Sequence, residues 1–304
     1  MFIRLITAAC CLAVIVTVQG RALAQGETRA VASTHCAVFS NEKEKQVASD
    51  AVSAFGAPAL RLDVGVAADL QTLARDCNGI VFAIGPKALA AAAKAPPTAK
   101  LLSALVSVPE TVLPSRAVTA SVLQDAAPEK AFSTLSLIAP RTRKVGVVFD
   151  PTKTGRLIAE ARVVARSRGI ELVALAVRNV GEAVRAFHRF EKEVPVDAIW
   201  LVPDGSATVQ ETVYYVLELA HWKRIPVLGL SQWYVANGAL FALIPRADRL
   251  GQRTGELGRQ VLDGVKTSTS YSRTDALIIN ERTATRLGLK IPDALRSVAE
   301  IVSP

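Results

Sequence analysis

Small acids, hydroxyls and one tryptophan stand at the ends of apolar runs along this chain, and their types suit binding more than catalysis. Asp204 and Ser206 follow AIWLVP (198–203). A carboxylate there can hold an amino or hydroxyl group, or cap the helix that comes next. Ser231, Gln232 and Trp233 end the run that begins VLGL. They offer two hydrogen-bonding groups beside an aromatic face, which can stack on a ring or pack beneath a cleft. Asp150, Thr152 and Thr154 follow VGVVF, where they cap a helix whose first N–H groups can meet an anion. In the first half, Ser40 and Asn41 end CAVF, and Gly85 and Lys87 end IVFAI. Glu110 follows LLSALVSV. Gly85 admits close backbone approach, and Lys87 can pair with an acid. Each of these residues also has an ordinary structural reading.

Hydrolytic, metal and nucleotide chemistry lack their parts. Gly229-Leu230-Ser231-Gln232-Trp233 comes near the G-x-S-x-G nucleophile elbow, but Trp233 stands where that strained turn needs a second glycine. His35, His188 and His221 are the only histidines, and none is placed to serve Ser231. Cysteine and histidine spacings give no zinc motif. Gly85 stands alone where a phosphate-binding loop needs several glycines. The expectation is a binding protein with no catalytic residue, cofactor or metal. A hydrolase on a doubly wound scaffold is the remote alternative.

The elements that must position these residues alternate strand and helix. Continuous apolar runs predict strands buried on both faces of a parallel sheet: 36–40, 60–64, 79–85, 101–108 and 118–122, then 145–150, 171–177, 198–203, 227–231 and 239–244. Stripes at helical spacing fill the gaps. Leu157, Ile158, Ala161, Val164 and Ala165 form one, capped by Thr152 or Thr154 and stopped by Gly169. Val213, Val216, Leu217 and Ala220 form another, capped by Thr208. The fold class is α/β, with two doubly wound lobes of the same plan. The polar stretch 139–144, around Arg141, reads as the first crossing between them. A helix beginning near Arg249 follows Pro245 and Asp248 and carries Gly251, Gly255 and Gly258 on one side. These glycines weaken it unless close packing needs them. After it come the strand ALIIN and a short helix, capped by Asn280 and stopped by Gly288. The helix returns to the first lobe and the strand to the second, giving a hinge of three crossings. The expected domains are 25–140 with 245–272, and 141–244 with 273–304.

The start of the chain reads as a leader. Arg4, an apolar run from Leu5 to Val18 and Ala22-Leu23-Ala24 fit a signal peptide cleaved after Ala24, in residues 1–24, and predict a periplasmic protein. Cys10 and Cys11 leave with it. The remaining Cys36 and Cys77 each precede a predicted strand. In an oxidising compartment they can form a disulfide, or they can stay two small buried hydrophobes. The net charge of +9 is spread along the chain with no basic block, which argues against nucleic acid. The excess of base favours an anionic ligand or a membrane surface, or is a solvated basic exterior.

Three segments carry a family resemblance: AIWLVPDGSATVQETVYYVLELAHWKRIPVLGLSQWYVANGALFAL (198–242), ADRLGQRTGELGRQVLDG (247–264) and LIINERTATRLGLKIPDAL (277–295). KVGVVFDP (144–151) opens the second lobe. Together they resemble the ABC-transporter substrate-binding proteins related to the tryptophan- and tyrosine-binding lipoproteins. The resemblance is strong from Lys144 onward and loose before it. It implies the type I periplasmic binding fold, hinge closure on a small molecule and delivery to an ABC permease. The implied ligand is an amino acid or another small anion, and the protein is expected to be a monomer. The family's Pro-Asp pair at the place of Asp204 implies a ligand role for that carboxylate. No cysteine follows the cleavage point to carry the lipid anchor. The same fold also serves sensory and regulatory modules.

Overall fold

The computed structural model describes residues 33–272 and 275–304, so the expected leader and its cleavage point lie outside the described residues. The first lobe runs β1 (His35–Phe39), α1 (Glu42–Phe55), β2 (Ala59–Asp63), α2 (Ala67–Asp76), β3 (Ile80–Ile84), α3 (Pro86–Ala91), β4 (Lys100–Ala104), α4 (Pro109–Val112) and β5 (Ala120–Leu123). The second runs α5 (Pro128–Ile138), β6 (Lys144–Phe149), α6 (Pro151–Ser167), β7 (Glu171–Ala176), α7 (Val180–Lys192), β8 (Ala198–Trp200), α8 (Gln210–Lys223), β9 (Val227–Gly229), α9 (Gln232–Ala236) and β10 (Phe241–Pro245). Then come α10 (Ala247–Leu262), β11 (Ser270–Tyr271), β12 (Asp275–Asn280), α11 (Glu281–Arg286), α12 (Asp293–Arg296) and β13 (Glu300–Val302).

Two sheets result. The first has the order β11-β5-β4-β3-β1-β2, and the second β13-β12-β10-β9-β8-β6-β7. Among the described residues only the β10–β12 pair is antiparallel. The interior strands, such as β3, are apolar because both faces are covered. Cys36 and Val38 of β1 enter one core, and Ala37 and Phe39 enter the core on the other face. β4 is shorter than its apolar run, ending at Ala104, so Glu110 belongs to the first turn of α4 and not to a strand end.

The first crossing is not where the polar stretch 139–144 placed it. Phe132, Leu135 and Ile138 of α5 pack with Val145, Leu157 and Trp200 of the second lobe. The Phe132 and Trp200 rings meet edge to face at 5.2 Å. The chain therefore crosses between Leu123 and Pro128, and Arg141 lies in a turn inside the second lobe. An exposed polar turn and an interlobe linker share the same composition, which is why the two were confused. The second crossing follows Pro245. α10 packs its Leu250 and Leu257 in the core of the first lobe. The third lies between β11, paired with β5, and β12, paired with β10. The lobes are thus 33–123 with 247–272, and 128–245 with 275–304.

The glycines of α10 have a packing reason. A Cβ on Gly251 would come within 2.6 Å of the Val47 carbonyl oxygen, and one on Gly255 within 2.2 Å of that of Ala51. The helix lies so close to α1 that only hydrogen fits at these positions. Cys36 and Cys77 are joined in a disulfide with their Cα atoms 5.8 Å apart. β1 is an interior strand, not an edge, and Cys77 reaches it from the end of α2.

Candidate functional site

A cavity of about 200 Å³ lies between the lobes, beside two of the crossings. Strand ends build its floor: Trp200 and Pro203 at the end of β8, Leu230 past β9 and Phe241 on β10. Leu105, just past β4, closes it from the first lobe in a left-handed backbone conformation, φ +58°. For a branched side chain that conformation costs about 1–2 kcal/mol. The volume is below the roughly 300 Å³ at which pockets for drug-sized ligands begin, so an occupant is small.

Two charged side chains interrupt this apolar lining: Lys43, in the first turn of α1, and Asp125, on the first crossing. Asp125 is buried and accepts a hydrogen bond from the Ser107 hydroxyl at 3.0 Å. Burial raises its carboxyl above the ordinary aspartate range, against the Ser107 hydrogen bond and the charge of Arg156. Sequence reasoning missed both residues. Asp125 gains its place only once the crossing is set at Gln124–Ala127, and Lys43 sits two residues past Asn41, just after the end of β1.

Of the ligand and hinge candidates read from the sequence, Pro245 alone lines this cavity. Asp150, Thr152, Asp204 and Ser206 do come together, as a polar knot. Asp204 accepts from the backbone N–H groups of Asp150, Ser206 and Ala207 at 2.8, 2.9 and 2.8 Å. Asp150, not Thr152 or Thr154, caps α6 and accepts from the Thr152 N–H and hydroxyl and from the Ser206 hydroxyl. Lys153 joins at 2.6 Å from the Ser206 oxygen. Burial opposes charge on Asp150, but these hydrogen bonds and the Lys153 ammonium outweigh it and hold the carboxyl below its usual range. The knot ties the loops after β6 and β8 to each other with its carboxylates already engaged.

The other candidates have local tasks. Asn41 caps α1 through its side-chain oxygen, and Ser40 donates its N–H and hydroxyl to Glu44, both at 2.7 Å. Gly85 (φ +88°) makes room for Glu44, since a Cβ there would lie 2.2 Å from its Oε1. Lys87 and Glu110 are exposed. Ser231 and Gln232 start α9, and Trp233 meets Tyr214 and Tyr234 edge to face at 5.4 Å each, over a separate surface pocket. Thr208 does not cap α8; its hydroxyl donates to the Val202 carbonyl. Asp248 pairs with Arg246 at 2.9 Å at the start of α10, and this partner lowers its carboxyl below the ordinary range. The histidines are engaged apart from Ser231. His35 accepts from the Ile80 N–H, His188 meets Tyr215, and His221 meets Arg286.

Comparison with known proteins agrees with this architecture. Residues 76–303 match the family model described as ABC transporter substrate binding protein. The tyrosine-binding protein of Clostridioides difficile (strain R20291) is 22% identical over 168 residues, 53% of this chain and 47% of that protein. The chain thus spans about half the length of the curated relative it matches. The ABC domain in complex with L-Trp from Streptococcus pneumonia superposes with a TM-score of 0.57 at 17% identity, over 89% of this chain and 100% of that one. The ligand-free, open structure of a substrate binding protein with adhesive properties from Clostridium difficile gives 0.64 at 17%, over 89% and 99%. At such identities the likeness is one of fold, two doubly wound lobes of the type I periplasmic binding class. With the family model covering most of its length, this chain belongs to the ABC transporter substrate-binding protein family.

Proposed function

We propose that the interlobe cavity captures an amino acid with an apolar side chain, held as its zwitterion, and that closed lobes present it to a membrane permease. The carrying observation is that an exposed Lys43 and a buried Asp125 both line one small cavity. A ligand bearing both a carboxylate and an ammonium group satisfies both, and Trp200, Leu230 and Phe241 suit its apolar side chain. Asp125 forms no ion pair among the described residues, and burial raises its pKa in spite of the Ser107 hydrogen bond and the charge of Arg156. The tyrosine-binding relative and the L-Trp complex are in keeping with such a ligand. The protein acts after export, in the periplasm, where an oxidising milieu suits the Cys36–Cys77 disulfide. It performs no chemistry on its ligand.

The test is calorimetric titration of protein freed of carried-over ligand, with the amino acids one by one and then with their amides. One or a few apolar or aromatic amino acids bind, and the amides, which lack the carboxylate, bind much less well. Binding of neutral sugars or simple dianions, with no amino acid bound, would contradict the reading.

A further inference from the structure

The positive charge that is scattered along the sequence gains a focus in the folded second lobe. The cavity just described lies past the C-terminal ends of the strands. At their opposite ends, a groove of about 760 Å³ runs among the α5–β6 turn, the α8–β9 turn and the segment after α11. Arg141, Arg224 and Lys290 line it, all exposed, and none forms an ion pair among the described residues. Of the two acids beside them, Asp197 is already engaged. Its Oδ2 accepts from the N–H groups of Arg143 and Lys144 at 2.7 and 2.8 Å. Asp293 remains against three cations.

The same end of the lobe shows large apolar side chains to solvent. Leu137, which lines the groove, is 54% exposed, and Trp222, on the last turn of α8 two residues before Arg224, is 76% exposed. Cations beside an exposed tryptophan and leucine match a lipid headgroup layer, where basic side chains meet phosphates and indole rings sit at the boundary with the acyl chains. We propose that this end of the second lobe docks the protein on an anionic membrane surface through Arg141, Arg224, Lys290 and Trp222.

The experiment is flotation of the chain from Gln25 onward with vesicles of phosphatidylglycerol mixed into phosphatidylcholine, and with phosphatidylcholine alone. The protein floats with the anionic vesicles and not with the neutral ones, and high salt releases it. Arg141→Ala/Arg224→Ala/Lys290→Ala lowers the partition coefficient about 100-fold, at roughly five-fold per cation. Trp222→Ala lowers it further, with circular-dichroism melts confirming that each variant is folded. Arg61→Ala/Lys94→Ala/Lys100→Ala removes the same charge from exposed positions of the first lobe and changes binding little. No flotation with anionic vesicles, or an equal loss in both triple variants, would overturn the proposal. The second result would mean that overall charge, not this face, does the binding.

Discussion

Asp125→Asn lowers amino-acid affinity by about 100-fold and at the same time makes the empty protein more stable at neutral pH. The first effect follows from removing one partner of a buried charge pair across an interface, which costs about 2–5 kcal/mol because the ligand's ammonium is then left desolvated and unpaired. The second follows from linkage. Burial raises the Asp125 carboxyl in the folded protein, so the folded state holds its proton at pH values where the unfolded chain has released it. Its contribution to stability therefore falls as pH rises through that window, and the full penalty is present above it. Asparagine keeps an oxygen for the Ser107 hydroxyl and removes the charge. Wild type and variant should have the same stability below the ordinary aspartate range and diverge above it, the variant being the more stable. Urea unfolding at several pH values, set beside calorimetry, reads both effects. A variant that loses stability at neutral pH and keeps its affinity would show that Asp125 has a purely structural task.

Removing the disulfide has a comparably large effect on stability, confined to the first lobe. The bridge closes a loop across a separation of 41 residues. Constraining a loop of that length in the unfolded chain is worth about 4 kcal/mol in the chain-entropy account. Cys36→Ala/Cys77→Ala, or reduction of the native protein, should lower the stability of β1, α1, β2 and α2 by that order. The probes separate cleanly, because Trp200, Trp222 and Trp233 all belong to the second lobe. Amide exchange in β1 and β3 should accelerate strongly while tryptophan fluorescence reports little change before the second lobe itself unfolds. A loss of less than about 1 kcal/mol in the first lobe would contradict the expectation.

The fold was legible because its signals are physical and local. Strands covered on both faces cannot alternate in polarity, so runs such as 80–84 and 145–149 announce a parallel sheet from composition alone. Asn280 caps α11 by accepting from the Thr283 N–H, and Gly288 turns left-handed after it, both at the positions their types predict. β11 and β13 were missed because two or three residues carry no periodicity. The first crossing was misplaced because the apolar side of α5 can cover either sheet, and nothing in Phe132 or Leu135 names the partner.

The site was less legible for a related reason. Polar residues at strand ends divide between two tasks, since one can face the cleft while the next caps a helix. Asp204 illustrates this: its three backbone partners include the N–H of Asp150, 54 positions away. Lys43 and Asp125 gained their meaning from the same long-range placement, in which the start of α1 and a crossing strand border one cavity. Charge behaved likewise, since Arg141, Arg224 and Lys290 are far apart in sequence and share one groove.

The central claim is that an amino acid is held between two lobes that move together on binding it. Small-angle X-ray scattering of ligand-free protein, before and after a saturating amount of the amino acid found by calorimetry, tests it most directly. The bound form should show a smaller radius of gyration and a shortened interlobe distance. Saturated protein with unchanged dimensions would contradict it.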